Sequence, residues 1–307
     1  MQGIVIRNTG SWYQVRTPEG NLFDCKIKGN FRIKDIKSTN PIAVGDQVVF
    51  DLTKEGEGLI SAIKDRKNYI VRKPTNLSKQ LQIIAANLDQ VLLIVTINYP
   101  ETSTVFIDRF LATCEAYRVP AKLIVNKMDC YSREELEYLE AFRHLYEQIG
   151  YDCFFVSATK QQGIEQVRDL LNGKISLLSG NSGVGKSSLI NAISPELSLR
   201  TGKISTSHNK GMHTTTFSEM FELEKDSYVI DTPGIKGFGI IDFQKEEVGH
   251  FFPEIFNASK KCKFNNCTHI HEPDCAVLKA VEEHKISRSR YQSYLSILED
   301  CDAGKYR

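Results

Sequence analysis

Long apolar runs are missing from this chain of 307 residues. A run such as Val91–Val95 stops far short of the ~20 residues that a membrane-spanning helix needs, so no membrane partner is expected. The opening Met1-Gln-Gly-Ile-Val5 also lacks the charged-then-apolar order of a secretory leader. The expected compartment is the cytoplasm. Net charge is scarce too, at +1 with His neutral, which excludes a polycation that coats nucleic acid along its whole length. The imbalance that exists lies in residues 1–72, where 12 Lys and Arg face 8 Asp and Glu. RNA affinity is therefore sought there first. In the cytoplasm eight cysteines do not make a disulfide framework. Cys25, Cys114, Cys130, Cys153 and Cys301 are scattered and read as packing thiols. The other three fall together near the C-terminus.

Apolar residues are plentiful at 41%, enough at this length for two or three cored domains. The organising stretch is Gly180-Asn181-Ser182-Gly183-Val184-Gly185-Lys186-Ser187-Ser188. Gly, four residues, then Gly-Lys-Ser is the phosphate-loop spacing. Ile175 to Leu178 predicts a buried strand before it, and Leu189, Ile190 and Ile193 predict a helix after it. Strand, glycine turn and helix are what phosphate binding requires. Glycines let backbone N–H groups curl round phosphate oxygens, and the helix N-terminus adds positive potential. Lys186 is placed to reach the β- and γ-phosphates, and the Ser187 hydroxyl to ligate Mg²⁺.

Around this loop the pattern divides the chain in three. Residues 1–72 carry short runs at Gly3–Arg7, Trp12–Arg16, Leu22–Ile27, Gln47–Leu52 and Gly58–Ile63, separated by glycine turns. They predict a small barrel of the oligonucleotide/oligosaccharide-binding type. Lys26, Lys28, Arg32, Lys34 and Lys37, with Phe23 and Phe31 nearby, suit RNA on its surface, though a solvated charged loop fits equally. Residues 73–242 alternate apolar strands (Gln90–Ile97, Ala121–Val125, Cys153–Val156) with helices. One helix carries Phe106, Phe110, Cys114 and Tyr117. The next opens with the capping box Ser132-Arg-Glu-Glu135 and carries Leu136, Leu139, Tyr146 and Ile149, and the third carries Ile164, Val167 and Leu170. This is an α/β pattern with a parallel sheet covered on both faces. Residues 243–307 read as mainly helical after the cysteine cluster.

Two short loops in the central part carry chemistry. Asn126-Lys127-Met128-Asp129 follows one apolar strand and Ser157-Ala158 the next. Asn-Lys-x-Asp resembles the guanine-reading loop of GTPases, where the Asp accepts from N1–H and the 2-amino group. Adenine lacks that pair, so the Asp selects GTP. The Ser-Ala pair resembles the loop beneath the base. After the phosphate loop, Arg200 to Ser218 is long and polar and ends in His213-Thr214-Thr215-Thr216. It reads as a switch loop in which Thr214 or Thr215 completes the Mg²⁺ shell. A hairpin over Phe217–Leu223 and Tyr228–Ile230 delivers Asp231-Thr-Pro-Gly234. That sequence resembles the DxxG of GTPases, the Asp holding Mg²⁺ through water and the Gly234 N–H meeting the γ-phosphate. The usual order of these motifs begins with the phosphate loop. Here it begins with Asn126, so the domain is circularly permuted, with Asn172-Gly173-Lys174 joining the old ends.

Near the C-terminus Cys262, Cys267, His269 and Cys275 supply three thiolates and an imidazole within one short stretch, the donor set of a closed, structural Zn²⁺ site. With Ile107-Asp-Arg-Phe-Leu111, the nucleotide motifs and this spacing, the whole chain resembles the circularly permuted, small-ribosomal-subunit-dependent GTPases of the RsgA family, also called YjeQ or YloQ. The family's switch motif, Gly-Arg-Gly-x-His-Thr-Thr, is here Asn209-Lys210-Gly211-Met212-His213-Thr214-Thr215. The resemblance implies GTP hydrolysis with Mg²⁺, one zinc ion per chain, and late maturation of the small ribosomal subunit through binding its 16S-type rRNA. A GTP-gated RNA chaperone, whose hydrolysis only resets binding, is the alternative. A monomer with no DNA partner is expected. Ile235 stands where Ras-type GTPases carry a water-orienting Gln, so slow intrinsic hydrolysis, stimulated by the subunit, is expected with His213 as the catalytic candidate.

Overall fold

The computed structural model describes residues 1–28, 41–72, 82–197, 218–231 and 244–302. Five strands close the N-terminal barrel: β1 (Gln2–Asn8), β2 (Tyr13–Arg16), β3 (Leu22–Ile27), β4 (Gln47–Leu52) and β5 (Gly58–Ile63). They pair β1–β2–β3–β5–β4, and β4 returns to β1 with Gln2 opposite Val49. Alternating side chains point inward because the strand period is two. Val5, Tyr13, Val15, Cys25, Val48, Phe50 and Ile60 fill the interior. Gly58 is required there, since a Cβ would lie 2.3 Å from the Cys25 sulfur. Phe23 is half-buried against Phe50, with ring centroids 5.5 Å apart, and Lys26 lies 3.9 Å over the Trp12 ring beside Glu57. Phe23 is thus packed partly into the barrel, while the Lys26 side chain, 44% exposed, and the exposed Lys28 stay at its surface. Phe31, Arg32, Lys34 and Lys37 lie outside the described residues.

A ribbon of β6 (Tyr69–Arg72) and β7 (Gln82–Ala86) follows. The sequence pattern gave no sign of either as a separate strand. The central sheet contains β8 (Gln90–Val95), β9 (Ala121–Val125), β10 (Cys153–Phe155), β11 (Ile175–Ser179), β12 (Glu219–Glu224) and β13 (Ser227–Asp231). Their order is β10-β9-β8-β11-β13-β12, parallel except for β12, and β12 meets β1 of the barrel where Arg7 pairs with Glu219. Every residue of β8 is buried, as a strand covered on both faces demands. Val91, Leu93 and Val95 face α1 (Thr104–Ala116) and α2 (Arg133–Gln148), while Leu92 and Ile94 face α3 (Ile164–Leu171) and α4 (Lys186–Ile193). On α2 the buried stripe is Leu139, Phe142 and Tyr146, and Leu136 is exposed. On α3, Leu171 rather than Leu170 completes the buried face. The join at Asn172–Lys174 is a tight turn with Gly173 at φ 66°, its N–H donating to the Ser227 hydroxyl.

The parallel strands place their C-terminal ends along one edge, and the chain turns opposite ways after β8 and β11. Such a reversal opens a crevice for ligands. The phosphate loop leaves β11 at this crevice.

Four helices form the C-terminal part among the described residues: α5 (Lys245–Val248), α6 (Pro253–Ser259), α7 (Ala276–Glu282) and α8 (Arg288–Asp302). They dock on α1 through a buried charge network. Arg290, fully buried, gives a forked pair of bonds to Glu254 at 2.7 and 3.2 Å and a third to Asp108 at 2.9 Å. Asp108 also accepts from Tyr146 and Ser293. Its neighbour Arg109 reaches Ser296 and Asp300 of α8. The Ile107–Leu111 segment noted in the sequence is therefore a docking strip. Asp108→Ala leaves Arg290 its fork onto Glu254 but removes one buried charge-assisted bond and the acceptor of the Tyr146 and Ser293 hydroxyls, so a loss of about 2–4 kcal/mol is expected in urea denaturation. A change below 1 kcal/mol would show that the network is not what holds these helices.

Candidate nucleotide and zinc sites

Gly180, at φ 148°, begins the phosphate loop where a Cβ would sit 2.3 Å from the Ile94 carbonyl oxygen. Gly185, at φ 95°, ends it where a Cβ would sit 2.4 Å from the Asn126 amide nitrogen. Only glycine fits either position. α4 then starts at Lys186 without a side-chain cap, so its first N–H groups remain available to an anion. The Lys186 ammonium curls back onto the carbonyl oxygens of Gly180 (2.6 Å) and Asn181 (2.8 Å). Burial lowers its pKa and Asp231 opposes that shift. Ser182, Ser187 and Ser188 are exposed, and Val184 is buried beneath the loop.

Asn126, buried at the end of β9, joins three loops. Its amide donates to the Val184 carbonyl at 2.9 Å, and its oxygen accepts from the Ala158 N–H at 3.2 Å. The Tyr131 hydroxyl donates to the Asn126 carbonyl at 2.7 Å and receives the Ile97 N–H. Lys127 is held at φ 67°, and its ammonium spans from Gly183 O (2.7 Å) to Tyr99 O. Met128 packs against the core, and its N–H meets the Val156 carbonyl. Asp129 is exposed at the crevice, with the Ser157 hydroxyl 2.5 Å from Oδ1 and the Thr159 hydroxyl 2.9 Å from Oδ2. The Ser157 bond lowers the Asp129 pKa most, burial opposes it, and Thr159 lowers it further. The carboxylate is thus kept ionised, an acceptor for paired N–H donors.

The phosphate, base and supporting loops therefore meet in one place, with Asp231 on the strand beside the phosphate-loop strand. His213, Thr214, Thr215 and Gly234 lie outside the described residues, as does Ile235. Sequence spacing did not single out Thr159 or Tyr131. Neither belongs to a fixed motif, and only the fold brings them to Asp129 and Asn126. Cys130, expected as a packing thiol, is exposed beside Asp129 because the short turn Met128–Cys130 faces solvent.

In the C-terminal part the donor atoms of Cys262, Cys267, His269 and Cys275 all lie within 4.8 Å of one another. Sulfur separations are 3.9 Å (Cys262–Cys275) and 3.7 Å (Cys267–Cys275), and His269 Nδ1 is 3.4 Å from the Cys275 sulfur. A tetrahedron of about 2.3 Å Zn–S bonds has edges of about 3.8 Å, and a shorter Zn–N bond shortens the edge. The residues fit zinc. Burial lowers the pKa of His269, favouring the neutral imidazole that a metal needs. The Tyr291 and Tyr294 hydroxyls hold the carbonyls of His269 and Thr268. Glu272 is pushed upward by burial, but bonds from the Thr268 hydroxyl and nearby N–H groups bring its pKa to about 2. One zinc per chain is expected by elemental analysis, and Cys267→Ser is expected to lose it with the helical signal of residues 244–302. Such sites contribute on the order of 10 kcal/mol to small modules. Metal-free, unoxidised protein of undiminished stability would contradict the assignment.

Known proteins share this whole arrangement. The family model for the RsgA N-terminal domain matches residues 2–60, and that for the RsgA GTPase matches residues 63–241. The chain is 63% identical to the small ribosomal subunit biogenesis GTPase RsgA 2 of Bacteroides thetaiotaomicron, covering 100% of this chain and 99% of that one. It is 64% identical to the RsgA protein of Phocaeicola vulgatus with the same coverage. Among solved structures, YjeQ from Thermotoga maritima aligns with a TM-score of 0.79 at 35% identity, over 98% of both chains. YloQ, a circularly permuted GTPase, aligns at 0.77 and 29% identity, over 100% of this chain and 96% of that one. With both family models matching and relatives more than 60% identical along the whole chain, the chain belongs to the RsgA GTPase family.

Proposed function

We propose that this protein hydrolyses GTP to GDP and phosphate, and that it couples the reaction to late maturation of the small ribosomal subunit. The observation that carries the reading is the pair of hydrogen bonds by which Asn126 donates to the Val184 carbonyl and accepts from the Ala158 N–H, bringing the Asp129 loop and the phosphate loop to one site. The partner follows from the relatives, which carry the name of small ribosomal subunit biogenesis GTPases. Residues 1–72 contain the rRNA-binding barrel, and residues 73–242 form the GTPase domain and 243–307 the zinc domain. A monomer working in the cytoplasm, without DNA, completes the proposal.

In this reading Asp129 accepts the two guanine donors, with Asn126, Lys127 and Met128 shaping the loop and Ser157 and Ala158 supporting the base. Residues Gly180–Ser188 surround the phosphates. Lys186 exchanges its two carbonyl partners for β- and γ-phosphate oxygens, a move between similar hydrogen bonds. Ser187, Asp231 and one of Thr214 and Thr215 would hold Mg²⁺, which when bound would neutralise charge on the phosphate oxygens. The Gly234 N–H meets the γ-phosphate, and His213 orients the attacking water. With Ile235 in place of a Gln, turnover is slow until the subunit fixes the switch.

Parallel assays of GTP and ATP, with and without small subunits, test this. Slow GTP turnover that rises with the subunit is expected, and ATP turnover equal to that of GTP would refute the base assignment. His213→Ala is expected to lose roughly 10²–10⁴-fold of stimulated turnover while keeping GTP affinity and subunit binding. Full stimulation in that variant would assign the catalytic group to the ribosome.

A further inference from the structure

The proposed base-reading carboxylate is gripped by more than the serine of its supporting loop. Asp129 stands exposed on a turn of three residues, Met128–Cys130. To accept from two adjacent donors on one ring edge, a carboxylate must keep both oxygens in the plane of that ring. The terminal torsion of an Asp is broad. A bond to one oxygen leaves the other free to swing. Here each oxygen has its own donor, Ser157 Oγ at 2.5 Å from Oδ1 and Thr159 Oγ1 at 2.9 Å from Oδ2.

Ser157 Oγ accepts from the Lys160 N–H at 3.1 Å and also lies 3.1 Å from Thr159 Oγ1, a contact in which either hydroxyl can donate. A carboxylate is the stronger acceptor of the two and draws the serine proton to Oδ1. An ionised carboxylate only accepts, so the Thr159 hydroxyl is the donor to Oδ2. The backbone fixes where both hydroxyls stand. Ser157 and Gln162 exchange N–H···O bonds at 3.0 and 3.1 Å. Gly163, at φ 72°, closes the loop where a Cβ would lie 2.6 Å from the Phe155 carbonyl oxygen. Oδ1 retains a lone pair for the base after its hydroxyl bond is made, and Oδ2 does so once the weak thiol donor Cys130, 3.7 Å away, gives way to the stronger N–H.

We infer that Thr159 is a specificity-positioning residue, whose hydroxyl holds the second oxygen of Asp129 so that N1–H and the 2-amino group of guanine are read together. The inference rests on the proposed role of Asp129 and adds to it a chemical class that the site rejects. A purine with N1–H but no 2-amino group, as in inosine nucleotides, leaves one fixed oxygen unpaired. A freely turning carboxylate would lose less on that exchange, because it re-aims at the single donor.

The test is calorimetric binding of GDP, IDP and ADP to the full chain. Thr159→Val, which removes the donor at nearly constant volume, is expected to lower the GDP-to-IDP affinity ratio roughly three- to tenfold. Thr159→Ser is expected to stay within about twofold of the parent, since its hydroxyl survives. Thr159 is exposed, so neither change threatens folding. A parental ratio in Thr159→Val, or equal losses for GDP and IDP, would overturn the inference and leave Thr159 a loop-packing residue. Asp129→Asn separates this failure from that of the underlying reading. If the parent binds ADP as tightly as GDP, or Asp129→Asn leaves base preference unchanged, the role of Asp129 falls and that of Thr159 with it.

Discussion

One guanidinium with no exposed surface joins the C-terminal helices to the nucleotide-binding layer. Arg290 is out of water, with Asp108 from α1 and Glu254 from α6 as its partners. Burying a charge costs several kcal/mol, and only good geometry with further hydrogen bonds repays it. That geometry is present: a fork onto Glu254, a bond to Asp108, Tyr146 and Ser293 on Asp108, and the Phe252 ring 4.6 Å from the guanidinium carbon. The network makes the docking specific rather than merely sticky. An apolar patch would tolerate sliding, whereas a forked ion pair out of water does not.

The nucleotide site depends on a similar economy. Asn126 spends both ends of one amide on loops from different strands, and Lys127 ties Gly183 to the Tyr99 carbonyl. Tyr99 precedes Pro100, against which Gly183 packs, and the same connection leads into α1. α1 in turn carries Asp108 and Arg109. These two loops and the C-terminal helices are thereby linked through α1. On the other side, Arg16 of the barrel pairs with Glu222 of β12, whose partner β13 ends in Asp231. Both outer parts of the molecule therefore touch elements that border the proposed nucleotide site.

Much of this was legible in the residues. The phosphate loop was readable because its glycines, lysine and serine are contiguous, and the strand and helix about it have opposite periods. The barrel strands were readable from glycine turns at short spacing, and the cluster that could hold zinc from three thiols beside one imidazole. Long-range partners were not readable. The run Ile107–Leu111 marks a buried helical face, but nothing local tells that Asp108 meets an arginine from the far end of the chain. Leu136 fits a helical stripe as well as Leu139 does, and only the sheet's position decides which of them is covered. β6 and β7 were both missed because their pairing spans the intervening segment 73–81.

By itself the sequence determined the chemistry available at each motif, because donors, charges and glycine torsions are properties of neighbouring residues. It also determined the permuted order of those motifs, which is a fact of chain direction. The tertiary structure alone decided which side chains act on one another across the chain: Thr159 on Asp129, Asn126 on Val184, Arg290 on Asp108. Hydrogen bonds and ion pairs are short-ranged and directional, so they exist only once the apolar strands and helices have fixed distances to a few tenths of an ångström. Periodicity names the face that a residue occupies. Packing chooses what it touches.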